Sequence, residues 1–176
     1  MPPAPAFAQK LNEQIANEFA AHQQYVACAV YYDAEALPQL ARFFYRQALE
    51  ERGHAMIMVQ FLLDTGAEVT TPGVAAPHSR FANVSEPIAL ALEQEQRVSE
   101  QINALAATAR EAGDYSSEQF MQWFIKEQVE EVATMGGLLR VAERAGEDAS
   151  AIEEYLAREV PGSEGADPTA PRPAGE

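Results

Sequence analysis

Four glutamates and one histidine sit where helical periodicity calls for apolar residues. Leu11, Glu18 and Tyr25 are spaced by seven in a proline-free stretch, so Glu18 takes the middle of a buried stripe. Phe44, Glu51 and Met58 form a second such row, beside Leu40, Gln47, His54 and Phe61. Ile88, Glu95 and Ile102 form a third. Phe124, Glu131 and Leu138 form a fourth, beside Met121, Gln128 and Met135. Glu51 and His54 stand one turn apart and face inward together. A lone Glu-x-x-His on a helix is most often a solvated surface pair. One carboxylate in the middle of each of four stripes is a pattern of another kind.

An unpaired buried charge costs several kcal/mol even after relaxation, and four carboxylates also repel one another. No Lys or Arg lies on these stripes to offset them. The carboxylates are therefore protonated, or the bundle stays open, or cations occupy it. Two divalent metals would neutralise Glu18, Glu51, Glu95 and Glu131 together. Oxygen donors with one imidazole suit iron or manganese, and zinc can also bind such a set.

The elements that must carry these residues are marked off by proline and glycine. Helices are expected over about 6–33, 38–65, 85–112 and 116–145, with a short fifth over about 149–160. Pro38 suits a first-turn position, and Gly66 and Gly146 suit helix ends. Ser85 reads as an N-cap, and Ser116 with Gln119 has the spacing of a capping box. Residues 66–84 form a connection without helical period, in which Val69-Thr70-Thr71 is at most locally extended. A helix of about 27 residues is about 40 Å long at 1.5 Å per residue, a distance that this connection can span when extended. Helices two and three therefore run the same way. The fold class is all-α: a four-helix bundle with one long crossover and a short C-terminal helix. Residues 1–160 make the domain. Residues 161–176, mostly Pro, Gly, Ala, Ser and acids, are expected to be a disordered tail.

Composition limits the partners. The 176 residues carry 27 acidic and 12 basic side chains, a formal charge of −15, which argues against nucleic acid as a partner and favours cations. No apolar run reaches the length of a membrane span, and the first residues lack the basic start of a secretory signal. The single cysteine, Cys28, excludes an internal disulfide and a cysteine-based zinc site. A cytoplasmic location fits.

The residues resemble the ferroxidase centre of non-haem bacterial ferritins over about residues 7–160. The resemblance rests on Asn17-Glu18 with Tyr25, Leu37-Pro38 with Phe43-Phe44, and Glu50-Glu51-Arg52-Gly53-His54-Ala55. Glu93-Gln94-Glu95-Gln96 continues it, and Trp123-Phe124-Ile125-Lys126-Glu127-Gln128-Val129-Glu130-Glu131 completes it. It implies a ferritin-like up-down-down-up bundle with one iron held by Glu18, Glu51 and His54. A second iron would be held by Glu51, Glu95 and Glu131 with Gln128 near, and Glu51 would bridge the two. Glu50, Glu127 and Glu130 match positions that bind a third iron. The implied activity is oxidation of Fe(II) by dioxygen or hydrogen peroxide, with ferric mineral stored inside a homo-oligomeric cage of twenty-four subunits.

The nearest relatives differ at named places. Haem-binding bacterioferritins carry a methionine after the bridging glutamate, where this chain has Arg52, so no haem is expected. Many di-iron proteins carry a second Glu-x-x-His on the fourth helix, where this chain reads Gln128-Val129-Glu130-Glu131. The DNA-binding mini-ferritins build their site between subunits and lack a fifth helix. A soluble di-iron oxidase acting on a small molecule or peroxide is the alternative reading. Tyr25 reads equally as a redox-active neighbour of the metals or as a core tyrosine. Trp123, His22 and His78 read first as packing, boundary and surface residues.

Overall fold

The computed structural model describes residues 2–146, 148–159 and 167–175. Five helices follow one another: α1 (Pro5–Ala34), α2 (Pro38–Thr65), α3 (Glu86–Glu111), α4 (Tyr115–Ala145) and α5 (Ala149–Glu159). The first four form an up-down-down-up bundle, as the sequence predicts. The helix α1 packs chiefly on α2 and α3 on α4, while α5 lies against α2 and α4. Among the described residues, no helix is long and apolar enough to cross a membrane.

The crossover between α2 and α3 is fastened to α1 by side chains that reach its backbone. Asn12 accepts from Thr70 N at 2.7 Å and donates to Glu68 O at 3.0 Å. Gln24 bonds both backbone groups of His78, at 2.8 and 2.9 Å. Tyr32 donates to Val84 O at 2.6 Å where the crossover nears α3. Polar edges of α1 thus satisfy a chain that has no helical hydrogen bonds of its own.

One predicted cap is corrected, and another keeps its position but not its bond. The N-cap of α4 is Asp114, whose carboxylate accepts from Ser117 N at 3.1 Å and from its hydroxyl at 2.7 Å, so Ser116 lies inside the helix. The same Asp114 accepts from Ala4 N at 2.9 Å and ties the start of α1 to the start of α4. A carboxylate serves this double duty better than a serine hydroxyl because it offers two acceptor oxygens. At α3, Ser85 is the N-cap as expected, but its side chain makes no cap hydrogen bond; Asn83 Oδ1 accepts from Ser85 N and Glu86 N, both at 3.0 Å. The start of α2 is capped from a distance. Glu153 of α5 accepts from Gln39 N and Leu40 N at 2.8–3.0 Å, which fixes α5 while Ile152 and Leu156 bury beneath it.

Residues 160–166 lie outside the described residues, so that part of the expected tail has no structural account. Residues 167–175 are placed against the bundle. Asp167 accepts from Trp123 Nε1 at 3.1 Å, and Ala174 N donates to Met56 O at 3.0 Å. Both contacts are polar, a kind that the apolar content of a segment does not signal.

Candidate metal centre

The apolar core falls into two clusters. One joins Tyr25, Cys28 and Tyr32 of α1 to Phe43 and Phe44 of α2, Met135 and Leu138 of α4, and α5. The other joins Phe7, Leu11 and Ile15 to Met58, Leu62, Ile102, Met121 and Phe124. On every helix of the bundle, the glutamate picked out by its stripe falls between these two sets. The bundle therefore has an apolar layer at each end and a polar layer between them.

That layer is closed to solvent. Glu18, Glu51, Glu95 and Glu131 are at most 5% exposed, as is His54, and Gln128 is 7% exposed. One carboxylate oxygen each from Glu18 and Glu51 and one imidazole nitrogen of His54 lie within 4.8 Å of one another, close enough to share an ion. His54 Nδ1 stands 3.3 Å from Glu51 Oε2 and 4.0 Å from Glu18 Oε2. Glu95 accepts from the Tyr25 hydroxyl and, at 3.0 Å, from Gln128 Nε2. Gln47 Nε2 lies 3.3 Å from both oxygens of Glu131.

The electrostatics follow from burial. Glu51 and Glu131 are pushed well above the ordinary carboxylate range, first by desolvation and then by neighbouring glutamates. Glu95 is pushed up to about 7 by burial, against the lowering effect of the Tyr25 hydrogen bond. The Tyr25 hydroxyl is raised too, by burial first and by Glu95 next. These directions are those of acids crowded together away from water.

Two atoms in the layer point to a cation as the partner of this set. Glu18 Oε2 and Gln128 Oε1 are buried without a hydrogen-bond partner among the described residues. An orphaned carboxylate oxygen inside a ring of acids is unfavourable by itself and is satisfied by a cation. Hard oxygen donors with one nitrogen fit Fe(II).

A second group lies just outside. Oxygens of Glu50 and Glu127 and a nitrogen of His54 also fall within 4.8 Å of one another. Glu50 is exposed and Glu127 half-buried. Glu130, expected beside them, is not brought into this group; its carboxylate pairs with Lys126 at 3.7 Å. His54 takes part in both groups. The repeat pattern placed it only with Glu51, because heptad spacing reports a face and not reach.

Sequence reasoning missed two supporting residues. Gln14 Nε2 donates to Glu18 Oε1 at 2.8 Å, and Gln47 also donates to Glu50 at 2.9 Å. Each lies four or three residues before the acid that it orients, a signal that was present in the sequence. Trp123 packs edge-to-face on His54 at 5.6 Å between centroids. His22 Nδ1 lies 2.6 Å from Ala48 O, away from the ligand groups. Met58, Met121 and Met135 are buried in the apolar clusters.

Comparison with known proteins gives the family and the fold. The profile of the ferritin-like domain matches residues 8–145. The chain is 54% identical over 169 residues to ferritin BfrB of Mycolicibacterium smegmatis, covering 96% of this chain and 93% of that protein. It is 35% identical over 147 residues to the bacterial non-heme ferritin of Staphylococcus aureus, covering 84% and 89% respectively. An open-pore ferritin from Archaeoglobus fulgidus superposes with a TM-score of 0.84 at 28% identity, covering 88% of this chain and 98% of that one.

Proposed function

The chain belongs to the ferritin family, and we propose that it stores iron in a cage, oxidising Fe(II) at the buried layer and passing Fe(III) to a mineral inside. The observation that carries this is the layer itself: four buried glutamates and one histidine, with an orphaned Glu18 oxygen and, among the described residues, no buried Lys or Arg to balance them. In this reading Glu18, Glu51 and His54 bind one Fe(II) as substrate. Glu51, Glu95 and Glu131 bind a second, with Gln128 beside it, and Glu51 bridges them.

The reaction takes one electron from each Fe(II). One dioxygen accepts both electrons with two protons and leaves as hydrogen peroxide; hydrogen peroxide itself can serve as the two-electron acceptor. The protein holds two ions against a single oxidant, which makes the two-electron step intramolecular. Gln14, Gln47 and Tyr25 fix the carboxylates through hydrogen bonds, so little reorganisation is needed when iron arrives. Glu50 and Glu127 would hold a third iron on the outer side, with Glu130, which pairs with Lys126, close enough in sequence to join them once an ion is bound. His54 supports such a handover, because it reaches both groups.

The family relationship supports a homo-oligomeric shell, which we take to have twenty-four subunits. The test is aerobic Fe(II) addition followed by size-exclusion chromatography with iron analysis. Iron should elute with a particle of roughly that multiple of the subunit mass. Oxidised iron released from a protein that elutes as a small oligomer would instead favour a soluble di-iron oxidase.

We further assign the protein to the non-haem branch and to the cytoplasm. Arg52 follows Glu51 and is exposed. A guanidinium offers only donors and cannot ligate haem iron as a thioether does. Protein purified from haem-supplemented cells should show no Soret band. A reducing compartment suits Cys28, a free and buried thiol pushed up to about 11 by burial.

A further inference from the structure

The imidazole shared by the two ligand groups is not oriented in the usual way. A metal-binding histidine ordinarily donates its second ring nitrogen to a carboxylate or a carbonyl, which fixes the ring plane. Among the described residues, the hydrogen bond made by the His54 ring runs to Glu51, itself a candidate ligand. What confines the ring is aromatic. Trp123 and Phe124 both meet it edge-to-face, at 5.6 and 5.8 Å between centroids and interplanar angles of 76°. Trp123 also packs edge-to-face on Phe124 at 4.9 Å.

Trp123 is in turn held by the C-terminal segment. Its indole N–H donates to Asp167 Oδ2 at 3.1 Å. The Asp167 carboxylate is itself set in place by Thr169, whose backbone N–H and hydroxyl donate to it at 2.7–2.8 Å. Lys126 Nζ lies 3.5 Å from the same carboxylate and 3.7 Å from Glu130, between the segment and an outer acid. Farther along, Ala174 N donates to Met56 O, two residues beyond His54. The segment therefore contacts α4 through Trp123 and Lys126 and contacts α2 at Met56, two residues from His54.

We propose that Asp167 is a positioning residue for His54, acting through Trp123, and that residues 167–175 form a strap holding the shared imidazole within reach of both ligand groups. Among the described residues, the segment's hydrogen bonds and ion pairs reach no metal ligand. It fixes the indole, and the indole fixes the plane of the ring. The proposal rests on the metal-centre reading above. It goes beyond that reading by giving a stretch outside the bundle a part in metal binding.

Trp123 is the single tryptophan of the chain, so it reports on its own environment. The test uses the full-length assembled protein and its Asp167→Ala and Asp167→Asn variants, with Zn(II) as a redox-inert probe. Tryptophan emission is recorded first, and Zn(II) is then titrated by calorimetry. Asp167→Ala should shift emission to the red and weaken the first Zn(II) bound by about tenfold, the low end for loss of an outer partner. Asparagine keeps an oxygen that accepts from the indole, so Asp167→Asn should retain the parent emission and the parent affinity. A merely structural contact would not give that pattern, because it predicts loss of stability without a change in metal affinity. Parent-like emission in Asp167→Ala would overturn the proposal, as would altered emission with unchanged Zn(II) affinity. A parent protein that binds no Zn(II) would overturn the metal-centre reading and this proposal with it. Equal binding by parent and Asp167→Ala removes the strap's role alone.

Discussion

Glu50 and Glu51 are neighbours in sequence, as are Glu130 and Glu131, yet one member of each pair is exposed and the other is almost fully enclosed. A step of about 100° round a helix separates the two environments. The inner members, Glu51 and Glu131, lie in the layer between the apolar clusters, and desolvation raises both. The outer members keep their water. Glu50 accepts from Gln47, and Glu130 pairs with Lys126. Glu127 lies between these extremes: half-buried, raised chiefly by burial and lowered by His54. The same functional group is thus prepared for two tasks by burial. Inner carboxylates are held in place and need cations. Outer ones are solvated, suited to receiving ions and releasing them.

The largest expected effect breaks the inner set. Glu51→Ala removes the proposed bridge and should slow the fast phase of Fe(II) oxidation by about a hundredfold, at or beyond the upper end for changes that merely disturb a ligand. Stopped-flow absorbance under limiting Fe(II) measures this phase. Equal initial rates in variant and parent would refute the two-ion assignment. The variant should still fold, because deleting one acid from a metal-free layer relieves repulsion.

The second effect is a pH dependence confined to the metal-free protein. Glu95 rises from an ordinary 4.5 to about 7 in the folded state, and Glu51 and Glu131 are raised in the same direction. Between those values the folded state binds more protons than the unfolded state, so stability falls as pH rises. The contribution is fully present below about 4.5 and is lost as pH passes through about 7. For Glu95 alone this is on the order of a few kcal/mol. Thermal unfolding of the metal-free protein should therefore move to lower temperature between pH 5 and 7.5 by several degrees, an order-of-magnitude expectation for such a loss. Metal-loaded protein should lose this slope, because cations replace protons as the compensating charge. A metal-free protein that becomes more stable over the same window would contradict the assignment of the layer.

The smallest effect tests the outer set. Glu130→Ala removes an exposed acid whose pairing with Lys126 is worth little in water. It should leave the fast phase and the melting temperature near those of the parent. It should change only the iron-to-oxygen ratio and the later growth of mineral, read by oxygen electrode and light scattering. If Glu130→Ala slowed the fast phase as much as Glu51→Ala, the division into inner and outer carboxylates would fall.

The sequence by itself determined which carboxylate of each helix faces inward. Helical periodicity is local: once Leu11, Glu18 and Tyr25 share a stripe, burial of the first and last carries the middle one inward. The length of residues 66–84 likewise required helices two and three to run the same way. What only the tertiary structure decided was every relation that crosses between elements. Asp114 replaced Ser116 as the cap of α4 because it also faces Ala4 N. Glu153 came to cap α2 from a helix more than a hundred residues away in sequence. His54 joined the outer group while Glu130 turned to Lys126. Asp167 met Trp123 although its segment has too few apolar residues to signal any docking. Such pairings depend on the separation and rotation of whole helices, which side-chain packing sets and no local spacing encodes.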